Sequence, residues 1–235
     1  LYITLEMAEE RIAERIDANL LDVTMEDLHE MPHQLYEGKI KKLREKTQGQ
    51  LIVKEYPTAS AHSGHFKSLL NELALKKSFR PDVIFIDYLN ICASSRFKGG
   101  NISSYFYIKA IAEELRGLAV EFNVPIFSAT QTTRTGFVST DIGLEDTSES
   151  FGLPATADFM FALMSNEELE ALGQMKVKQL KNRYNDPSIN RAFIIGVDRA
   201  KMRLYDVQQA SQNIVDANQT DEKEDAYNKF SDFKL

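Results

Sequence analysis

Three polar side chains that could bind a nucleotide or a metal each follow an apolar run of the sequence. They are Glu6, Asp87 and Gln131, and the runs before them begin at residues 2, 83 and 124. A carboxylate directly after an apolar run is costly to remove from water unless it meets a metal ion or a hydrogen-bond network. An Asp in such a place can hold the Mg²⁺ of a nucleoside triphosphate. Taken singly, Asp87 is explained as well by a strand–loop junction, and Glu6 by the dipole of the helix that follows.

These side chains can act together only if the strands before them end at one edge of a sheet. The predicted strands cover residues 1–5, 50–56, 82–91, 124–131, 157–164 and 191–197. Apolar residues spaced by three and four predict helices over residues 7–20, 63–78 and 104–122, with shorter helical stretches after Thr24 and on either side of Pro32. The alternation predicts an α/β fold with a predominantly parallel sheet that is flanked by helices and buried on both faces. Ligands bind such sheets beyond the carboxyl ends of the strands.

The last third of the chain has a different pattern. From residue 175 onwards, short apolar runs are separated by turn-like pieces, which predicts a C-terminal meander of β-hairpins. We expect one domain over residues 1–215. Residues 216–235 are acidic and contain few apolar side chains, so we expect a disordered or loosely docked tail.

Composition excludes several classes of protein. The 235 residues contain one cysteine, Cys92, which excludes a disulfide framework and a multi-cysteine zinc site. No uncharged apolar stretch approaches the roughly 20 residues that a membrane-spanning helix needs. Lys and Arg number 28 against 35 Asp and Glu, for a net charge of −7, so a polyanion would have to meet a local basic patch. These features predict a soluble intracellular protein.

The segment from His29 to His33 matches the H-E-x-x-H pattern of zinc proteases, which requires both His on one face of an unbroken helix. Pro32 lacks a backbone donor and would clash with the preceding helical turn. We therefore predict an interrupted helix and no zinc site at this segment.

Five ordered segments resemble the ATPase domain of DnaB-type replicative helicases, which are ring-shaped motors with a RecA-like core. The segments cover residues 2–7, 84–89, 128–131, 157–158 and 181–183, and their sequences most resemble the version carried by T-even-like phages. The likeness spans residues 1–207. It implies a RecA-like fold of the P-loop NTPase type and an enzyme that hydrolyses ATP with Mg²⁺. It also implies 5′→3′ movement on single-stranded DNA and unwinding of the duplex at the replication fork.

The resemblance assigns roles to individual residues. It implies that Glu6 activates the attacking water, that Asp87 coordinates Mg²⁺ and that Gln131 senses the terminal phosphate. It further implies that Lys181 and Arg183 reach the active site of a neighbouring subunit. Without the resemblance, Lys181 and Arg183 are explained as solvated charges at a strand end.

The resemblance also implies that two loops line the pore of the ring and hold DNA. These loops cover residues 94–103 and 132–149, and their candidate DNA-binding residues are Arg96, Lys98, Gly99, Gly100, Arg134 and Gly136. Cations and backbone amides exposed by glycine suit phosphate contacts without base readout. Four acids in the second loop weaken the match, and both segments could instead be ordinary surface loops.

One feature of the family is missing from this sequence. The phosphate-binding pattern G-x-x-x-x-G-K-[S/T], which lies just before the first of these strands in the family, does not occur in the 235 residues. We therefore expect a fragment that begins after this loop and that alone neither binds ATP tightly nor hydrolyses it. The resemblance implies that the complete protein forms a homohexamer, works with a primase and a helicase loader, contacts no membrane and acts in the cytoplasm of a phage-infected host.

Other functions remain open at this point. A RecA-like recombinase or a helicase loader would bind DNA without unwinding it, and a naturally loop-less subunit would serve as a scaffold. Glu6 directly after the first strand, together with Lys181 and Arg183, favours the helicase.

Overall fold

The computed structural model describes residues 1–97, 102–132, 142–146, 152–186 and 188–207. The chain forms two compact units. The first comprises residues 1–158 and 200–202, and the second comprises residues 159–199 and the segment from residue 203 onwards. The predicted tail, residues 216–235, lies outside the described residues, and the single domain over residues 1–215 stays a prediction.

A four-stranded parallel sheet organises the first unit. Its strands are β1 (Tyr2–Thr4), β2 (Val53–Glu55), β3 (Ile84–Asp87) and β4 (Ile126–Ser128), in the order β2-β1-β3-β4. Every neighbouring pair is parallel. The predicted parallel sheet is therefore confirmed, and the strands that precede all three candidate residues end at one edge.

Helices connect these strands. Between β1 and β2 lie α1 (Glu9–Leu21), α2 (Met25–Glu30) and α3 (His33–Lys46); α4 (Ser63–Lys77) precedes β3, and α5 (Ser104–Phe122) precedes β4. Short 3₁₀ helices cover Leu89–Ile91 and Leu144–Asp146, and α6 (Gly152–Thr156) follows. The Thr24 hydroxyl caps α2 by accepting a hydrogen bond from the Asp27 amide at 3.0 Å, as its sequence position predicts.

The core of the first unit lies between the sheet and helices α4 and α5. These helices place apolar side chains at steps of three and four, and their buried faces meet alternate residues of β1 and β3. The best-buried members are Ile3, Phe66, Ile84, Ile86 and Ile111.

The prediction that the strands are buried on both faces is wrong for β3. Ile84 and Ile86 are buried, whereas Phe85 between them is 41% exposed. Successive side chains of a strand point to opposite faces, and the apolar core contacts only the face of Ile84 and Ile86. On the other face Phe85 stacks between Tyr2 and Phe127, with ring centroids 6.3 and 5.4 Å apart. An uninterrupted apolar run could not reveal this difference between the faces.

An antiparallel sheet organises the second unit. Its strands are β5 (Phe159–Met164), β6 (Gln174–Asn182), β7 (Ala192–Asp198) and β8 (Arg203–Asp206), paired in chain order, and α7 (Glu167–Ala171) connects the first two. The predicted C-terminal meander is confirmed. It begins earlier than expected, because the run 157–164 pairs with β6 and not with the parallel sheet.

No helix in the described part of the chain is both long enough and apolar enough to cross a membrane.

Candidate active site

Glu6 and Asp87 lie at the same edge of the parallel sheet. Thr4 at the end of β1 is the register partner of Asp87 at the end of β3. The Leu5 amide donates a hydrogen bond to the Asp87 carbonyl at 2.8 Å, which continues the pairing beyond the last strand residue. Glu6 is the next residue along the chain. The fold thus brings the two predicted acids to the carboxyl ends of adjacent strands, where α/β sheets bind ligands.

A buried threonine fixes the turn that carries Glu6. The Thr4 hydroxyl accepts a hydrogen bond from the Met7 amide at 3.0 Å and donates one to the Met7 carbonyl at 2.8 Å. Thr4 has no solvent exposure, whereas Glu6 is exposed. Within the described residues, no hydrogen bond or ion pair engages the Glu6 carboxylate. The backbone around Glu6 is therefore held in place while its side chain stays open to a ligand.

Asp87 is held by a residue that the sequence did not single out. The Tyr2 hydroxyl donates a hydrogen bond to Oδ2 of Asp87 at 2.8 Å. Burial, and after it the hydrogen bond to Asp87, raises the pKa of Tyr2, so the phenol stays protonated and remains a donor. This contact joins residues 85 positions apart, and it follows from the register of β1 and β3, which a single sequence does not give.

Gln131 reaches the same edge through Tyr88. The Gln131 side-chain amide donates a hydrogen bond to the Tyr88 hydroxyl at 3.1 Å, and Tyr88 directly follows Asp87. The Leu89 amide donates to the Ala129 carbonyl at 3.3 Å, which ties the two loops together. The structure therefore assembles Glu6, Asp87 and Gln131, as the sequence predicts, whereas their chemical roles stay predictions.

The donors at this edge suit a magnesium–nucleotide complex. Mg²⁺ prefers oxygen ligands and usually binds one or two carboxylates, with water and phosphate oxygens completing the shell. Asp87 can supply such an oxygen. Among the described residues only Tyr2 bonds its carboxylate, at Oδ2, which leaves Oδ1 available. In the same two loops, Asn90 Oδ1 and Thr130 Oγ1 are buried without a hydrogen-bond partner in the described chain. Such orphaned atoms are uncommon in folded proteins and fit a site that a ligand completes.

Lys181 and Arg183 lie at the end of a strand, as predicted. Lys181 is the penultimate residue of β6 and lies opposite Met160, and Arg183 follows the strand and is exposed. Both belong to the second unit. Their predicted action on a neighbouring subunit stays a prediction.

Of the candidate DNA-binding residues, the structure describes only Arg96. Its guanidinium forms an ion pair with Glu113 of α5 at 2.5 Å, and Lys109 lies 3.9 Å from the same carboxyl group. Arg96, Phe97 and residues of the first three turns of α5 line an open cleft of about 570 Å³. The remaining candidates, Lys98, Gly99, Gly100, Arg134 and Gly136, lie outside the described residues.

The H-E-x-x-H segment is divided between two helices. His29 lies in α2, whereas Pro32 caps the start of α3 and His33 is its first residue. The predicted interruption at Pro32 is confirmed. Within the described chain, no three His, Cys, Asp or Glu side chains form a cluster that could hold a metal ion.

Comparison with known proteins identifies related chains. Residues 1–200 match the sequence model of the DnaB-like helicase C-terminal domain. The DnaB-like replicative helicase of Enterobacteria phage T4 is 48% identical over 214 residues, which are 90% of this chain and 45% of that protein. A probable plasmid replicative DNA helicase of Chlamydia trachomatis is 34% identical over 138 residues, which are 57% of this chain and 28% of that protein. The chain therefore spans less than half the length of these relatives.

Two solved structures have the same fold. One is an ATPase domain, with a TM-score of 0.71 and 16% identity over 88% of this chain and 74% of that one. The other is a DnaB-like replicative helicase studied with its primase interactions, with a TM-score of 0.70 and 16% identity over 88% of this chain and 50% of that one. These structures confirm the predicted fold class, and the sequence matches confirm the predicted family. A recombinase or a loader is not favoured, because the relatives found by sequence are named helicases.

Proposed function

The chain belongs to the family of DnaB-like helicase C-terminal domains, and from this premise we propose that the complete protein is a replicative DNA helicase driven by ATP hydrolysis. One observation carries the proposal: Glu6 and Asp87 lie at the carboxyl ends of adjacent parallel strands, and Gln131 meets the same edge through Tyr88. Phosphoryl transfer depends mainly on positioning and charge neutralisation, and this edge offers both.

Each residue at the edge has a distinct part in the proposed reaction. Asp87 would hold Mg²⁺, since the Tyr2 hydroxyl bonds only one of its two carboxylate oxygens. Glu6, whose carboxylate is exposed, accepts the proton of the attacking water as general base. Gln131 donates its amide to the terminal phosphate of ATP. The metal ion, when bound, neutralises charge on the phosphates.

Single-stranded DNA is the proposed track, on which the motor moves 5′→3′. Arg96, Lys98, Gly99 and Gly100 of the first loop, and Arg134 and Gly136 of the second, would contact its phosphates. The Arg96–Glu113 pair supports this assignment because both side chains are substantially exposed, at 50% and 38%. Exposed ion pairs contribute only about 0–1 kcal/mol. Arg96 can therefore exchange the Glu113 carboxylate for a phosphate at small cost.

The complete protein is proposed to act as a homohexameric ring. Lys181 and Arg183 of one subunit would stabilise charge at the nucleotide of the next, so that hydrolysis requires assembly. A primase is a proposed partner, since a structural neighbour is described with its primase interactions. A helicase loader is a second proposed partner, and the cytoplasm of an infected host is the proposed location.

Substitution of Glu6 in the complete protein tests the proposal. Glu6→Gln keeps the size of the side chain but removes the base, so we expect kcat for ATP hydrolysis to fall by about 10²–10⁴-fold and unwinding of forked DNA to stop. ATP binding should persist. Glu10→Gln is the matched control, since Glu10 is an exposed acid four residues further on. Hydrolysis by Glu6→Gln at the wild-type rate would contradict the proposed mechanism.

A further inference from the structure

Glu114 of α5 collects hydrogen bonds from the loop that follows β3. Its Oε1 accepts from the Ser94 hydroxyl at 2.6 Å, and its Oε2 accepts from the amide and the hydroxyl of Ser95 at 2.9 and 2.7 Å. The Ser63 hydroxyl at the start of α4 donates to Oε2 at 2.8 Å. One carboxylate therefore joins three segments of the first unit.

Other contacts hold the same piece of chain. The Ser94 amide donates to the Tyr107 hydroxyl at 3.1 Å, and the Ala93 amide donates to the Ala61 carbonyl at 2.7 Å. Ser94 is 5% exposed, so its polar groups depend on these partners. The Arg96 amide also donates, to the Ser94 hydroxyl at 3.2 Å and to Oε1 of Glu114 at 3.4 Å, so the backbone is fixed as far as Arg96.

The charge of Glu114 is maintained by these donors. Burial alone would raise the pKa of Glu114, but the hydrogen bonds from Ser94, Ser95 and Ser63 outweigh burial and hold the pKa below its ordinary value. Both oxygens accept hydrogen bonds, so Glu114 has little capacity left for a ligand. Its neighbour Glu113 instead forms the exposed ion pair with Arg96.

We propose that Glu114 is a positioning residue for DNA binding: it fixes residues 94 and 95 so that Arg96 is presented to the phosphate backbone of single-stranded DNA. This inference rests on the proposed function. It assigns Glu114 no contact with DNA or nucleotide. Its effect passes through the backbone amides of Ser95 and Arg96, which both donate hydrogen bonds to the Glu114 carboxylate. A neutral Gln side chain accepts such hydrogen bonds less strongly than a carboxylate does.

The test measures single-stranded DNA binding by the complete protein, with and without Arg96. We expect Glu114→Gln to raise the Kd for oligo-dT by about 5–10-fold, the change that follows from losing roughly 1 kcal/mol of hydrogen bonding. In an Arg96→Ala background, Glu114→Gln should cause no further change, because the residue it positions is already absent. A merely structural role for Glu114 would weaken binding equally in both backgrounds, and that result would overturn the proposal.

Two further variants keep the test decisive. Glu121→Gln is the matched control, because Glu121 also lies on α5 and ties it to Lys67 of α4, at 2.5 Å, without touching the loop. Its Kd should equal that of the wild type, and an increase like that of Glu114→Gln would count against the proposal. If Glu114→Gln does not fold, Ser95→Ala removes one donor to Glu114 and should raise the Kd by about 2–3-fold. A wild-type protein that binds no oligo-dT would refute the proposed function, whereas wild-type binding with unchanged variants refutes only the role of Glu114.

Discussion

The carboxylates at the edge of the parallel sheet and the carboxylate beside the loop after β3 are held in opposite ways. Among the described residues, the Glu6 carboxylate has no hydrogen-bond or ion-pair partner, and the Asp87 carboxylate accepts one hydrogen bond, from Tyr2. Glu114 accepts hydrogen bonds from three serines. A filled acid, whose carboxylate oxygens accept hydrogen bonds from its own chain, serves as an anchor. An open acid, whose carboxylate has an oxygen without such a bond, can bind a ligand. The number of hydrogen bonds that each carboxylate accepts therefore distinguishes a candidate ligand-binding residue from a residue that holds the structure in place.

The two regions are joined by one short connection. Asp87 ends β3, Tyr88 contacts Gln131, the 3₁₀ helix Leu89–Ile91 follows, and the segment held by Glu114 begins at Ser94. Only a short segment of chain thus connects Asp87, at the proposed nucleotide site, with Arg96. We expect the open acids to respond to nucleotide and the filled acid to transmit that response to the DNA loop.

The largest expected effect concerns the edge of the parallel sheet that carries Glu6 and Asp87. Cations are needed there to stabilise the charge that develops on the phosphates. Arg183→Ala in the complete protein should lower kcat for ATP hydrolysis by about 10³–10⁵-fold, the range for an arginine supplied across an interface. Activity should recover when Arg183→Ala is mixed with Glu6→Gln, because some sites then combine Glu6 of one subunit with Arg183 of the next. Arg191→Ala, which changes another exposed cation of the second unit, is the control. No recovery in this mixture would show that Arg183 does not act on a neighbouring subunit.

The filled acid should instead control local stability. Glu114→Ala removes the acceptor of the Ser95 amide, so we expect the free energy of opening at Ser95 to fall by about 1–3 kcal/mol. Glu6→Ala should change it by less than about 0.5 kcal/mol, because Glu6 is exposed and unbonded in the described chain. Hydrogen exchange of the peptide that covers residues 92–97 measures both. Equal protection in the two variants would remove the distinction between open and filled acids.

A low pH should remove the contribution of Glu114 to the stability of the loop around Ser95. Its pKa lies below the ordinary value of 4.5, because the effect of burial is outweighed by the serine hydrogen bonds. The folded loop therefore binds this proton less tightly than the opened loop does, and acid favours opening. We expect the extra protection of Ser95 in wild type relative to Glu114→Gln to be complete above pH 4.5 and to shrink as the pH falls through the lowered pKa. A difference that grew on acidification would reverse the assigned sign.

The sequence predicted the elements that depend on local pattern. Strand-end acids, the alternation of strands and helices, the break at Pro32 and the hairpin meander all follow from residue type and spacing. Contacts that depend on register or on packing between distant segments were not predicted. Tyr2 reaches Asp87 only because β1 pairs with β3, and Glu114 meets Ser63 and Ser94 only because α4, α5 and the loop pack together. In the sequence, Glu113 and Glu114 are indistinguishable acids.

A smaller effect is expected from the hydrogen bond between Tyr2 and Asp87, which we predict to orient the Asp87 carboxylate for Mg²⁺. Tyr2→Phe removes a single hydrogen bond, worth about 0.5–1.5 kcal/mol, and keeps the ring that stacks on Phe85. We expect the Mg²⁺ concentration for half-maximal ATPase activity of the complete protein to change by about 2–10-fold, while the ATPase rate at saturating Mg²⁺ changes less. Tyr36→Phe is the control, since Tyr36 also donates to an Asp carboxylate, that of Asp17, but in the α1–α3 region. An equal effect of both variants would mean that Tyr2 does not orient Asp87.

The smallest expected effect concerns Glu113, the neighbour of the filled acid. Glu113 pairs with Arg96 at the surface, and a DNA phosphate would have to displace it. Glu113→Gln should therefore tighten oligo-dT binding by about 2–5-fold, the equivalent of an exposed ion pair, and the gain should be largest at low salt. Glu72→Gln changes an exposed acid that is paired with Lys76 of α4, and its binding should match that of the wild type. Weaker binding by Glu113→Gln would show that this carboxylate orients Arg96 for DNA, so that both acids of the pair, and not Glu114 alone, support the loop.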